Sequence, residues 1–426
     1  MWTANKLRQS NSGAILLLGA LCLLTYWPAF DNGFISDDFI ILDRVDTLTH
    51  NYGFLFSVPP ECFRISSYIF FGLLKFVFGY HAEWFYVFNL LLHLANSFLL
   101  WKLISRITRS NSVGFLAACF FAVIQGHQEA IMWLAAMNET LMGFFLLLCM
   151  LWWHSGRPGW SVLPYLAGLF SKESALIFLG LVPWLELHTH RRLRWRAGFL
   201  PVLLVSAAFC ILFTFLLTQN FMVSTGTYKL GFHAVTVFLL SMHRLLFPWV
   251  YLAIIIHFAG HGTPKHIKDA SWGLGFAAIG LLPYIFLTYQ NHVTSRQEYL
   301  ASIGIVWFLA VLIHACDKRF LRRSFIVAFI IVNAGYIWLR KDAQFENRAA
   351  PTGKLMEVLR TCEPQNLVIQ GFPGNPWIAR NTGQMVPGWN RNLIHADEPA
   401  PKDHQWLTLK WDPKKNSYLI KEVGLE

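Results

Sequence analysis

The sequence predicts an all-α polytopic membrane protein, and three observations support this fold class. Of the 426 residues, 55% are hydrophobic and 14% are charged, whereas soluble globular proteins carry about 25% charged residues. Apolar runs recur from residue 14 to about residue 339, as expected of membrane helices. The basic residues, which give a net charge of +11, are grouped in short loops between these runs. That grouping is typical of cytoplasmic loops and does not indicate nucleic-acid binding.

The first apolar run, residues 14–30, is predicted to be a retained transmembrane helix. Lys6 and Arg8 precede it, and Tyr26, Trp27 and Pro28 follow where a signal peptide would have small residues for cleavage. Aromatic side chains are typical of the membrane–water interface. The N-terminus is therefore predicted on the cytoplasmic side.

The stretch from residue 160 to residue 188 decides the predicted topology. One long helix would bury Lys172 and Glu173 midway, whereas two short helices would meet at this pair. Only two helices keep every basic loop on the cytoplasmic side. The sequence therefore predicts eleven spans and an extracytoplasmic C-terminus. The spans are predicted at 14–30, 84–104, 112–126, 139–153, 160–171, 174–188, 197–219, 234–256, 270–289, 300–316 and 325–339.

Two outer segments are long. Residues 31–83 contain FRISSYIFFGLLKFVFGYHAEWF, which is apolar enough to form one or two amphipathic helices in the membrane interface. From residue 340 onward the composition shifts towards Pro, Asn, Asp and Lys, and Leu367 to Gln370 form one predicted strand. We therefore expect a transmembrane domain, 1–339, and a small α+β extracytoplasmic domain, 340–426.

Isolated polar side chains in apolar surroundings recur in the predicted outer segments. The first segment contains NGFISDDFIILDRV, in which Asp37 and Asp38 lie between bulky apolar residues. Ionisable side chains at membrane depth are costly unless they are paired or face a wet cavity. So many at one depth predict a shared cavity with both signs of charge. The other candidates are Arg64, His127, Glu129, Lys172, Glu173, Arg296 and Tyr299.

This set of residue types suits sugar transfer from a polyprenyl-phosphate sugar. Attack of an acceptor hydroxyl on the anomeric carbon needs one general base, which an Asp carboxylate can supply. The leaving group is a lipid phosphate, which needs positive charge and no general acid. One of the two adjacent acids is therefore expected to be the base, and the other to bind a cation, the acceptor or backbone donors.

At these residues the sequence resembles the GT-C fold of polyprenyl-phosphate-sugar-dependent membrane glycosyltransferases. Within that group it is most similar to the transmembrane and tetratricopeptide-repeat mannosyltransferases, which are related to the protein O-mannosyltransferases. The similar elements are spread over about residues 14–340. They are FISDDFIIL in the first outer loop, the Arg-led interfacial helix FRISSYIFFGLL, GHQEAIMWLAAMNETLMGFF in the second loop, LFSKESALIFLGLVPWLEL at the junction and SRQEYLASIGIVW before a late span.

The resemblance implies roles for these residues. The first-loop acid is the catalytic base, which is Asp37 as first choice or Asp38. Cations on other loops hold the donor phosphate, which points to Lys172 and Arg296, with Arg64 as a further candidate. The candidates for contact with the donor or acceptor sugar are His127, Glu129, Glu173 and Tyr299.

The resemblance also implies the partners and the compartment. The donor would be an undecaprenyl- or dolichyl-type phosphate sugar, used with inversion at the extracytoplasmic face of a lipid bilayer. We expect a bacterial inner membrane, although an endoplasmic reticulum would place the same residues on the equivalent face. The chain lacks a tetratricopeptide tail, and Arg64–Ile65 replaces an Arg-Pro pair. The acceptor, whether lipid-linked glycan, lipid or protein, therefore stays open.

Several alternatives remain open at this point. No paired ligands have zinc spacing, but a divalent cation that bridges Asp38 and Glu129 is conceivable. Arg244 lines a cavity or forms a buried pair. Asn89, His93 and Asn96 share one helix face and favour interhelical hydrogen bonds.

Two other functions compete with the transferase. A secondary transporter would explain polar groups in spans, although its site is expected near the midplane. A polysaccharide ligase or polymerase would use a diphosphate-linked lipid.

Overall fold

The computed structural model describes residues 2–51, 53, 64–192, 198–217, 221–288, 290–362, 366–389, 394–396 and 406–423. The described chain is mainly helical. The first half contains α1 (Trp2–Tyr26), α2 (Asp37–His50), α3 (Ile65–Phe78), α4 (Ala82–Thr108), α5 (Asn111–Val123), α6 (Met137–His154), α7 (Val162–Leu169) and α8 (Phe178–His190). The second half contains α9 (Phe199–Leu217), α10 (His233–Leu246), α11 (Trp249–Ala259), α12 (Pro264–Leu281), α13 (Tyr299–His314), α14 (Arg319–Tyr336), α15 (Asp342–Thr361) and α16 (Pro376–Gln384).

Short helical turns connect several of these helices. They are Trp27–Asp31, Gln125–His127, Glu129–Met132, Leu134–Ala136, Pro158–Ser161, Glu173–Ile177, Phe221–Ser224, Ser295–Glu298 and Ile337–Lys341. Three of the 3₁₀ turns, Leu134–Ala136, Glu173–Ile177 and Ser295–Glu298, carry or adjoin candidate site residues. Such turns tighten the chain over three or four residues, and they form short connections between neighbouring helices.

The predicted helices are present, but the count of eleven spans is not confirmed. Among the described residues, five helical segments are long and apolar enough to cross a membrane: Ser12–Asp31, Ala82–Thr108, Leu134–His154, Ser295–His314 and Arg319–Thr361. The pair α10 and α11 gives a sixth if it counts as one span, but it bends by 51°. Pro248 lies at this bend, where proline removes a backbone donor and disrupts the helix.

The predicted break between residues 160 and 188 is confirmed. α7 ends at Leu169, and α8 begins at Phe178 after a 3₁₀ turn. Lys172 has extended backbone angles, φ −159° and ψ 135°, so no continuous helix passes through it. With 8 and 13 residues, both helices are shorter than the ~20 residues of a straight span.

The interhelical role of the polar face of α4 is also confirmed. The Asn89 side chain donates to Ala130 O at 2.9 Å, and Asn96 donates to Thr140 O at 2.8 Å. Asn89, His93 and Asn96 are fully buried. Successive members are three or four residues apart, so they face one side of the helix and tie α4 to α6 and to the Glu129–Met132 turn.

The predicted domain boundary at residue 339 lies within the continuous helical segment Arg319–Thr361. The division into domains 1–339 and 340–426 therefore stays a prediction. Beyond α15, a four-stranded sheet has the order β2-β1-β3-β4. β1 (Leu367–Gln370) coincides with the predicted strand and runs parallel to β2 (Ile394–Ala396) and β3 (Trp406–Asp412), while β4 (Ser417–Val423) is antiparallel to β3.

The C-terminal segment docks directly onto the first outer loop. The Thr352 hydroxyl on α15 donates to Phe34 O at 2.9 Å, and Tyr418 on β4 donates to Pro351 O at 3.0 Å. α16 packs against α2. These contacts place the C-terminal segment beside the two adjacent acids.

Candidate functional site

The two adjacent acids at the start of α2 have different surroundings. Asp38 is fully buried: its Oδ2 accepts from the Ile35 N–H at 2.7 Å and its Oδ1 from the Ala135 N–H at 2.5 Å. Asp37 is exposed, and the Ser36 hydroxyl donates weakly to it at 3.4 Å. Asp38 therefore joins the first outer loop to the Leu134–Ala136 turn, whereas the carboxylate of Asp37 remains accessible.

Burial has the largest effect on the pKa of Asp38. It raises the pKa of this carboxyl well above its usual value, while the backbone donors of Ile35 and Ala135 and the Arg348 guanidinium act in the opposite direction. The side chain is therefore a fixed structural group held by two backbone hydrogen bonds.

A narrow cleft of ≈ 40 Å³ opens between α2, α3 and the Leu134–Ala136 turn. Arg44 lies on one wall, where its Nη1 donates to Tyr68 Oη at 3.0 Å. Asp37, Ile41 and Arg44 are spaced four and three residues apart and so share one face of α2. Asp37 therefore extends the α2 wall at its N-terminal end. The lining residues are Ile41, Arg44, Arg64, Ser67, Tyr68, Phe71, Ala135 and Asn138.

A bidentate ion pair fixes the opposite wall. Arg64 Nε and Nη2 donate to Glu173 Oε2 and Oε1 at 3.3 and 3.0 Å. Burial alone would raise the pKa of Glu173, but Arg64 and Lys172 bring it below its usual value. The Ser67 hydroxyl donates to Ser171 O at 3.2 Å. The predicted junction is therefore attached to the start of α3.

Lys172 lies behind this wall and does not line the cleft. Its ammonium group forms a buried ion pair with Glu139, and Tyr284 donates to the other Glu139 oxygen at 2.8 Å. Burial lowers the pKa of Lys172, against the attraction of Glu139. The neighbour of Glu139, Asn138, does line the cleft. The pair therefore supports the cleft from within.

A second charged group, which we name the Trp133 cluster, comprises Glu129, Trp133, Arg296 and Arg348. Arg296 Nη1 lies 3.7 Å from Glu129 Oε2, and Arg348 Nη1 lies 3.8 Å from Glu129 Oε1. The two guanidinium carbons lie 4.6 and 4.5 Å from the centroid of the Trp133 ring. Trp133 Nε1 donates to Ile35 O at 3.2 Å, so the cluster adjoins the loop that Asp38 holds.

His127 and Tyr299 lie in the packed interior and do not line the cleft. Both are fully buried. His127 Nδ1 pairs with the Ser302 hydroxyl at 2.8 Å, while the Tyr299 hydroxyl contacts His93 Nδ1 at 2.9 Å and the Asn96 amide at 2.8 Å. The structure therefore separates these two predicted sugar-contacting residues from Glu129 and Glu173, which are partly exposed.

The structure decides the open alternatives for Arg244 and for a bridging cation. Arg244 Nη2 lies 3.1 Å from Oε2 of the buried Glu298, so it forms an ion pair, in which the Arg244 side chain itself is 34% exposed. Among the described residues, no three His, Cys, Asp or Glu side chains are grouped to hold a metal ion. Both oxygens of Asp38 accept backbone N–H groups and Glu129 faces two arginines, so a divalent cation between them does not fit.

The sequence-based site lacks two residues at these positions, Arg44 and Arg348, and it includes Glu139 only as a polar group of the second outer loop without an assigned role. Arg44 follows Asp37 by seven residues on the same helix face, a signal that the helical period contains. Glu139 stands in the second-loop motif, but nothing local indicates its partner. Arg348 lies beyond the predicted boundary at residue 339, and only continuing the helix through that boundary would have brought it into consideration.

No family model and no curated protein matches this sequence. Among solved structures, the chain is similar to the Archaeoglobus fulgidus oligosaccharyltransferase tethered to an acceptor peptide containing the NVT sequon, with a TM-score of 0.49 and 10% identity. The match covers 88% of this chain and 63% of that chain, so this chain spans less than two thirds of the neighbour's length. A likeness this distant decides neither activity nor substrate.

Proposed function

We propose that this chain is a GT-C-like membrane glycosyltransferase that moves a sugar from a polyprenyl-phosphate donor to an acceptor hydroxyl. One observation carries the proposal: an exposed carboxylate, Asp37, stands on the same helix face as a cleft whose walls bear Arg44 and Arg64. A base and cations beside one recess are the groups that this reaction needs. The motif resemblance in the outer loops supports the same class.

In the proposed reaction, Asp37 accepts the proton of the acceptor hydroxyl as its oxygen attacks the anomeric carbon. The bond from that carbon to the phosphate oxygen breaks, and the electron pair leaves with the lipid phosphate. Attack opposite the leaving group inverts the configuration. Charge-assisted hydrogen bonds from Arg64 and Arg296 would stabilise the phosphate as its charge grows.

The remaining candidates have supporting roles in this proposal. Glu173 orients Arg64, with which it forms two hydrogen bonds, and Glu173 and Glu129 are the candidates for sugar contact at the outer face. Lys172, with its ammonium group bonded to Glu139, fixes the junction rather than contacting the donor. We assign His127 and Tyr299 to interior support, because no face of either side chain is exposed.

The same proposal covers location and partners. Several apolar helices support a membrane protein, for which we propose a bacterial inner membrane with the cleft on the periplasmic face. The donor would be an undecaprenyl- or dolichyl-type phosphate sugar, and the acceptor a glycan, a lipid or a protein.

Transfer from a panel of radiolabelled polyprenyl-phosphate sugars to a membrane extract tests the proposal. We expect Asp37→Asn to lower turnover by about 10²- to 10⁴-fold, as for loss of a general base. Glu83→Gln is the matched control, because it removes an exposed carboxylate at the start of α4. Undiminished turnover in Asp37→Asn would remove the proposed base. Ion-driven solute uptake into proteoliposomes without sugar transfer would indicate a transporter instead.

A further inference from the structure

The Trp133 cluster sets two guanidinium groups against one carboxylate. The separations of 3.7 and 3.8 Å from Glu129 exceed hydrogen-bond length, and Glu129 Oε2 is buried without a hydrogen-bond partner. Within the part of the chain that the structure describes, neither Arg296 nor Arg348 has an acceptor at hydrogen-bond distance. Each guanidinium carries five N–H donors, so a single carboxylate leaves most of these donors without a protein acceptor.

The two arginines are held in place although they lack acceptors. Both lie over the Trp133 ring, and Arg348 also lies 5.2 Å from the centroid of Phe345, which is buried. Stacking on aromatic rings limits the freedom of a guanidinium group. The side chains of Arg296 and Arg348 remain 26% and 31% exposed, so an outside ligand can reach them.

The charges and shape of the cluster favour a tetrahedral anion. Two cations and one carboxylate leave one net positive charge. A planar carboxylate does not satisfy both forks at the observed separations, whereas a phosphate presents several oxygens in different directions and pairs with more than one guanidinium. The cluster adjoins the acid pair, because Trp133 donates to Ile35 O and the Ile35 N–H donates to Asp38.

We propose that a phosphate group binds between Arg296 and Arg348, with Arg348 of α15 supplying the second guanidinium fork. Glu129 occupies this position when the phosphate is absent and is displaced when it binds. α15 then completes the site. That the phosphate belongs to a polyprenyl donor rests on the proposed function.

Binding to the full-length protein in detergent tests this inference with three probes: a short-chain polyprenyl phosphate, inorganic phosphate and phosphatidylglycerol. Arg348→Gln should weaken binding of the polyprenyl phosphate by about 10- to 100-fold, the range for hydrogen bonds to charged groups. Arg348→Lys keeps the charge but loses the fork, so its affinity should lie between those of the wild type and Arg348→Gln. Arg360→Gln on the same helix is exposed and should bind as the wild type does.

The variant Glu129→Gln tests whether Glu129 competes with the phosphate for the two arginines or helps to hold them for phosphate binding. If the carboxylate competes with the phosphate, this variant should bind polyprenyl phosphate roughly threefold more tightly or better. Weaker binding in Glu129→Gln, or binding within twofold of wild type in both Arg348 variants, would overturn the inference. Arg348→Lys keeps the test available if Arg348→Gln does not fold.

The three probes identify the source of the phosphate. If phosphatidylglycerol binds as tightly as the polyprenyl phosphate and its binding also depends on Arg348, the site takes a general lipid headgroup. If inorganic phosphate binds as tightly and depends on Arg348, the site takes the free ion. Sugar transfer is scored separately. Turnover in the wild type with unchanged binding in both Arg348 variants refutes only the inference. Arg348-dependent binding without turnover on any donor refutes only the proposed function.

Discussion

The ion pair between Lys172 and Glu139 gives the sharpest test of how the cleft is supported. Its side chains are 8% and 1% exposed, and Tyr284 bonds the second carboxylate oxygen. Lys172→Met removes the cation and leaves a buried carboxylate without its partner. Breaking a buried pair in this way costs about 3–5 kcal/mol, which is a large part of a total stability of about 5–15 kcal/mol.

The double variant Lys172→Met/Glu139→Gln should recover most of that loss. It removes both charges together, and replacing a buried pair by neutral groups is often close to neutral in stability. We therefore expect a large coupling energy between the two positions, at or above the ~3 kcal/mol upper end found for residues in contact. Lys354→Met is the control, because Lys354 and Glu357 form an ion pair that is 50% and 65% exposed and is worth about 0–1 kcal/mol.

Reversible unfolding in mixed detergent micelles, followed by tryptophan fluorescence, measures these differences. Additive losses in the double variant would refute the paired description of Lys172. Donor binding by the same double variant then tests its role. We expect an affinity within about threefold of wild type, since less than the ~1.4 kcal/mol of a tenfold change should be lost. A folded double variant that no longer binds the donor would indicate that Lys172 contacts the donor phosphate after all.

The remaining predictions concern the first outer loop and the walls of the cleft. Asp38→Asn offers one acceptor where two backbone donors point, so it should lower the free energy of unfolding by about 1–3 kcal/mol; unchanged thermal unfolding would contradict this. Glu173, whose pKa is lowered by Arg64, should stabilise the fold at neutral pH and lose that contribution as pH falls below its usual pKa of 4.5. Acid unfolding of Glu173→Gln should lack this step, and an identical profile would count against the pair. Thr352→Val should cost about 1 kcal/mol through the bond to Phe34 O, measured as increased proteolysis of the C-terminal segment.

The helices were predictable because each corresponds to an apolar run in the sequence. Which of them span a membrane was less predictable. An apolar run predicts a helix without fixing its length. α7, with 8 residues, and the α10–α11 pair, bent at Pro248, both arise from runs that were interpreted as single spans. The basic loops on either side predict the break at Lys172, which the structure confirms, whereas the number of crossings stays a prediction.

The sequence singles out individual residues of the candidate site, but it does not show which of them form pairs. Asp37, Arg64 and Glu129 stand out in the sequence as isolated polar groups in apolar surroundings. Which groups pair depends on contacts between distant segments: Lys172 meets Glu139 rather than its neighbour Glu173. Arg348 gives no such signal, because its surroundings in the sequence are polar.

The different surroundings of the two adjacent acids follow from the geometry of a helix. Successive side chains on an α-helix are turned by about 100° from each other. When Asp38 faces the Leu134–Ala136 turn, Asp37 must face elsewhere, and it lies on the side where Ile41 and Arg44 line the cleft. The buried acid therefore sets the orientation of the exposed one. Two neighbouring acids at the start of a helix need not share a proton or a metal ion, because one of them fixes the helix that presents the other.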